Sequence, residues 1–238
     1  MTRPSVDDLS PAAALGFWSA VACTVLSLTY VIVQLGEWLG WLGSAGGPSS
    51  PSTPIGLAML LTPSLLLAPA FLLMTAATHA MAPPERRVFG HAAVAFATVY
   101  TALVSTVYFA QLMWVTPRLL TGRTQGLEPF LFEPFDSFLY AVDILGYSFM
   151  SLATVLAALA LPDVSATRTA RRFLLANGAV LPFLVFQMYA HDLIWIASLW
   201  AITFPGATWA LARSFRRMAD GVPRGLGDTG ITPRELIA

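Results

Sequence analysis

Of the 238 residues in this chain, 56% are hydrophobic and 11% charged, the mean hydropathy is +0.68, and the apolar residues come in runs of the roughly 20 residues that cross a bilayer. The thirteen basic residues are all arginine and are balanced by thirteen acidic ones, which excludes lysine Schiff-base chemistry, a phosphate loop with its lysine and a basic nucleic-acid footprint. Cys23 is the only cysteine, so intrachain disulfides and thiolate metal clusters are excluded as well.

Apolar runs bounded by turn residues predict an all-α integral membrane protein, a bundle of six transmembrane helices forming one domain over 1–217. The first span covers Ala12–Trp41. Ala20-Val21-Ala22-Cys23 has the look of a lipoprotein cleavage site, but the run continues unbroken to Leu35, so an uncleaved helix is expected. A Gly/Ser/Pro stretch, Gly43–Pro54, leads into the second span, Ile55–Ala82, and a Pro-Pro-Glu-Arg-Arg turn into the third, Val88–Val115. The segment Thr116–Glu133 reads as an amphipathic connector on the membrane surface, with a short lid as the alternative. The fourth span is Pro134–Leu161 and the fifth Ala170–Ala190, joined by the arginine-bearing loop Pro162–Thr169. A tight turn at His191–Asp192 opens the sixth span, Leu193–Phe215, and the tail over 218–238 is expected to be disordered. Pro134 suits a first helical turn, whereas Pro63, Pro69, Pro182 and Pro205 lie inside spans and are expected to kink them. Gly16, Gly56 and Gly146 are suited to close helix contacts, within the chain or in an oligomer.

Arginines accumulate on one side of this arrangement. Arg3, Arg86, Arg87, Arg168, Arg171, Arg172, Arg213, Arg216, Arg217, Arg224 and Arg234 share one face, and only Arg118 and Arg123 fall on the other. Because positively charged loops stay in the cytoplasm, both termini are expected there. Trp38, Trp41, Trp114 and Trp195 then become anchors near the outer interface, and Trp18 and Trp209 near the inner one.

The fourth span carries the most informative pattern. Asp136, Tyr140, Asp143, Tyr147, Ser151 and Thr154 are spaced three or four apart, so they share one helix face over about 27 Å. Such a stripe cannot face lipid. Asp143 is its sharpest point, since a lone charged carboxylate at that depth costs several kcal/mol, ~3 on insertion scales. It is expected to be protonated, bonded to a tyrosine, or turned toward water or a cation, unless the stripe serves only interhelical hydrogen bonding. Glu37, Tyr108, Gln111, Gln187, His191 and Asp192 gather on the same outer side and with Asp136 suggest an acidic mouth; of these Glu37, Asp136, His191 and Asp192 form a weak set of metal ligands, and no metal or cofactor is assigned.

His79 and His91 fall at the cytoplasmic ends of the second and third spans, about 30 Å from His191, which excludes a three-histidine zinc site and leaves only a haem pair as an alternative use. The chain has no Gly-x-Ser-x-Gly, His-Glu-x-x-His or Ser-x-x-Lys motif, so an intramembrane enzyme is the least supported class.

At Ala170-Arg171-Arg172-Phe173-Leu174-Leu175-Ala176-Asn177-Gly178, at Leu199-Trp200-Ala201-Ile202-Thr203-Phe204-Pro205 and at Phe135-Asp136…Leu145-Gly146-Tyr147, the chain resembles small bacterial multi-pass membrane proteins of a domain-of-unknown-function family. The resemblance implies a bacterial inner membrane, a packing role for Asn177 and Gly178, and no established activity. The function expected is binding or transport of a small molecule, lipid or ion through an outward-opening pocket built on the fourth helix from Asp143, Asp136, Tyr140, Tyr147, Glu37, Gln111, Gln187, His191 and Asp192. A non-catalytic subunit or scaffold is the alternative.

Overall fold

The computed structural model describes residues 9–220, with side chains through 217. The described residues are helical, without strands, and six of the helical segments are long and apolar enough to cross a membrane.

Helix α1 spans Pro11–Trp38 and α2 spans Pro54–Ala80. Both begin the same way: a hydroxyl residue, Ser10 or Thr53, accepts the amide of Ala13 or Gly56, and a proline follows where no amide donor is needed. Helix α2 continues through Pro63 and Pro69. Helix α3, Arg87–Ala110, runs through a π turn at Gln111–Val115 into α4, Thr116–Leu120, so the third span ends later than the expected Val115. Within the π turn the Thr116 amide reaches the Gln111 carbonyl five residues back, and Pro117, which has no amide hydrogen, comes next.

The fourth span is α5, Phe138–Ala160, and it starts four residues after the expected Pro134. Ser137 is the reason. Its hydroxyl accepts the Tyr140 amide at 3.1 Å and is reached by the Glu133 amide at 3.1 Å, so the helix begins beyond it. Phe135, at φ 66°, takes the left-handed turn that brings the chain to this cap. Asp136 consequently lies outside the helix and exposed, and it is removed from the stripe. Ser137→Ala should cost about 1 kcal/mol and fray the turn that carries Tyr140, read as a lower melting temperature in detergent.

The fifth span divides into α6, Arg168–Ala179, and α7, Leu181–Phe186, with Pro182 in the first turn of α7, so this proline does interrupt its span. The sixth consists of a 3-10 turn at His191–Leu193, α8 at Ile194–Ala197, and α9 at Trp200–Asp220, which includes Pro205. The remaining tail, 221–238, lies outside the described residues, as do Arg3, Arg224 and Arg234.

The spans form a closed ring: α1 packs on α2, α2 on α3, α3 on α5, α5 on α6, α6 on α9, and α9 returns to α1. For helices that cross a membrane, lipid offers no hydrophobic drive for association, and close packing with interhelical hydrogen bonds would hold such a ring. Small residues supply the closeness: a Cβ on Gly16 would enter the Phe215 ring, one on Gly178 would meet Val155, and one on Gly146 would come within 2.6 Å of Val104. Hydrogen bonds supply the rest. Thr24 and Thr208 join α1 to α9 at 2.8 Å, while the Asn177 amide donates to Thr154 at 3.3 Å and accepts from Thr203 at 3.0 Å, tying α5, α6 and α9 together. At the end of α5, Arg86 and Arg171 donate to the carbonyls of Leu161 and Ala158 at 2.7 and 3.1 Å, and Arg171 also pairs with Asp163 at 2.9 Å.

Candidate ligand cavity

A cavity of about 420 Å³ lies at the end of the ring where α1 and α3 finish and α2 and α5 begin. Its floor is aromatic. Tyr108 donates to the Tyr147 hydroxyl at 3.1 Å, the Trp200 ring meets Tyr147 and Tyr30 edge-on at 5.8 and 5.7 Å, and Phe204 stacks beneath Trp200 at 5.1 Å with 6° between planes. Phe71 and Tyr100 extend this cluster into the core.

The opposite wall comes from the chain returning between α4 and α5. Gln111, fully buried at the start of the π turn, donates to the Phe130 carbonyl at 2.6 Å and so holds that segment against the bundle. Leu127 is buried, and Phe132 lines the cavity, edge-on to Tyr140 at 5.6 Å. Thr116–Glu133 is therefore more than a strip lying on a membrane surface, since its second half closes one side of the cavity.

Polar atoms complete the site. Glu37 Oε1, Asp143 Oδ1, Gln187 Oε1 and Trp200 Nε1 are buried without hydrogen-bond partners, and all four belong to lining residues. A buried polar group without a partner costs about 1–3 kcal/mol, so four on residues lining one cavity is a large concentration of unmet hydrogen bonding. The α1 side places Tyr30, Gln34 and Glu37 on one face, with the Tyr30 hydroxyl donating to Gln34 at 2.9 Å. Glu37 packs on Gly56 at the beginning of α2, where the helix dipole favours a carboxylate and where no other residue leaves space. Gly56→Ala should displace this carboxylate, lowering the affinity of any ligand that touches it several-fold with little loss of stability. Ligand titration alongside thermal unfolding checks this.

The nine residues expected at the site divide into two groups. Asp143, Tyr140, Tyr147, Glu37 and Gln187 line the cavity together. Asp136, His191 and Asp192 are exposed, with His191 stacked on Phe135 at 4.3 Å, and Gln111 supports the wall from behind. The expected acidic mouth is thus not assembled, because the cap at Ser137 and the turn before α8 leave those three side chains at the surface. Among the described residues no three His, Cys, Asp or Glu side chains converge as metal ligands would.

Tyr30, Gln34, Trp38, Phe132 and Trp200 also line the cavity, none of them expected there. The spacing of Tyr30, Gln34 and Glu37, four and then three, is the signal for α1. Trp38, expected as an interfacial anchor, is half-buried and meets Trp195 edge-on at 5.4 Å. His79 and His91 face each other with ring centroids 4.1 Å apart. An axial pair has two metal–nitrogen bonds of about 2 Å each between the rings and a further ~1 Å from each nitrogen to its ring centre, so its centroids stand about 6 Å apart, and these two rings lie too close for a haem iron between them.

The lower half of the α5 stripe has a different use. Ser151 and Thr154 are buried in the packed part of the ring, and Thr154 receives the Asn177 amide. One helix face therefore serves a cavity at one end and helix packing at the other.

Comparison of the chain with protein families, with curated proteins and with solved structures found no match.

Proposed function

We propose that this chain is a multi-pass protein of a bacterial inner membrane that binds a small molecule in its cavity, as a transporter or a binding protein. The observation that carries this reading is a cavity of about 420 Å³ walled by aromatic rings, four of whose lining residues each carry an enclosed polar atom without a hydrogen-bond partner. Ligand cavities have this character: mostly apolar walls, a few converging polar groups, and a volume in the range of about 300–1,000 Å³. The arginine distribution supports an outward-facing cavity and cytoplasmic termini. Arg86, Arg168, Arg171 and Arg213 belong to the end of the ring away from the cavity, whereas Arg118 and Arg123 follow α3 at the cavity end.

The second reading, a non-catalytic subunit or scaffold, is favoured by the Asn177 bridge, a polar group fully occupied in joining helices. Mass spectrometry of the intact protein from mild detergent, wild type beside Asp143→Asn, separates the two. A small molecule retained by the wild type and lost from an equally stable variant supports binding. Retention unaffected by the substitution takes Asp143 out of the binding site, and retention by neither protein favours the scaffold.

A further inference from the structure

Resting on the reading of this cavity as a binding site, we propose that its occupant is a small amphipathic organic cation, an amine or quaternary ammonium, held against aromatic faces with Asp143 and Glu37 as its counter-ions.

The first argument is charge. Both carboxylates are more than nine-tenths buried, and each has an oxygen with no hydrogen-bond partner. No arginine or histidine is among the lining residues, and the chain contains no lysine. Arg118, a basic residue of the cavity end, is engaged elsewhere: its guanidinium lies 4.4 Å from the Trp114 ring centre and donates to the Trp114 carbonyl. A buried carboxylate in a membrane interior is stabilised chiefly by an opposite charge; here no positively charged side chain lines the site, and only Glu37 has the partial charge of a helix start beside it.

The second argument is the kind of surface presented. Tyr30, Trp38, Tyr147 and Trp200 offer rings to the cavity, and a ring face attracts a cation through its quadrupole by about 2 kcal/mol once water is excluded. Three of the four partnerless atoms are acceptors: Glu37 Oε1, Asp143 Oδ1 and Gln187 Oε1. An anion needs donors, and a phospholipid headgroup would bring a phosphate that no basic residue here meets. A bare calcium or magnesium ion needs six or more oxygens, which walls made mostly of rings do not provide, and among the described residues no three His, Cys, Asp or Glu side chains converge for a zinc ion.

The third argument is the rim. Val31 and Leu35 of α1 and Ile202 of α9 line the cavity's edge, with Leu35 50% and Ile202 67% exposed. Apolar side chains that both line the cavity and face outward suit a ligand with an apolar portion beside its charge.

The probe pair is benzyltrimethylammonium and neopentylbenzene, its carbon isostere, which has the same shape and no charge. Equilibrium dialysis against the full-length protein in a maltoside detergent, corrected for partition into empty micelles, measures both. The cation is expected to bind at least about tenfold more tightly than the isostere. In Glu37→Gln/Asp143→Asn that preference should fall to about onefold, with affinity for the isostere retained. Equal wild-type affinities, a comparison that needs no variant, overturn the cation assignment and leave the binding reading standing; a preference that survives in the folded double variant overturns Asp143 and Glu37 as the counter-ions. Failure of folded wild type to bind either compound at millimolar concentration overturns both readings.

Discussion

Replacing Phe204 with alanine should destabilise the folded bundle by about 3 kcal/mol, the low end of the range for truncating a buried phenylalanine. Phe204 is fully buried on α9, stacked under Trp200 at 5.1 Å and tilted against Phe71 at 5.8 Å. The low end is chosen because lipid is as apolar as the interior, so the transfer part of the cost is small and the lost packing dominates. Trp200 would lose its support, and a ligand resting on that ring should bind more weakly. Phe204→Leu refills much of the volume and should recover most of the stability. Thermal unfolding in detergent measures both variants, and a loss for alanine below about 1 kcal/mol would show that the aromatic floor is looser than described.

Asn177→Leu should cost about 1–2 kcal/mol and leave ligand retention unchanged. The two side chains share one branched heavy-atom skeleton, with leucine the bulkier, so the main loss is the pair of interhelical hydrogen bonds to Thr154 and Thr203, each worth about 0.6 kcal/mol and at most about 1.7 inside a membrane. Thr154 lies about 16 Å along α5 from Asp143, too far to disturb the cavity directly. Asp143→Asn should do the reverse, lowering retention while costing less stability than Asn177→Leu, because the Asp143 Oδ1 atom has no hydrogen bond to lose. If each variant lowers stability and retention together, the division of the α5 face into a cavity half and a packing half is wrong.

Part of the site is legible in the amino-acid sequence alone. The spacing of Tyr140, Asp143, Tyr147, Ser151 and Thr154 places them on one face of one helix, because helical periodicity is a property of neighbours in the chain. The same spacing rule overreaches at Asp136, since it carries no information about where the helix starts. That is set by whether Ser137 caps it, and Pro134 offers a competing start. Among the polar residues at helix ends, Glu37, Asp136, His191 and Asp192 look alike in sequence. Glu37 alone is drawn in, because Gly56 of α2 leaves space for its carboxylate.

The amino-acid sequence by itself determined that six segments are apolar enough to cross a membrane, roughly where each lies, and which face of the fourth is polar. Hydropathy and periodicity are summed over adjacent residues, so a single chain suffices to read them. Only the tertiary structure decided that Tyr30, Phe132, Trp38 and Trp200 meet Asp143 around one cavity while Asn177 and Thr154 do not. Those residues come from different segments of the chain, and what brings them together is the closing of α9 onto α1 and the fold-back of the segment held by Gln111. Both depend on packing between helices, and local sequence does not encode which helices will touch.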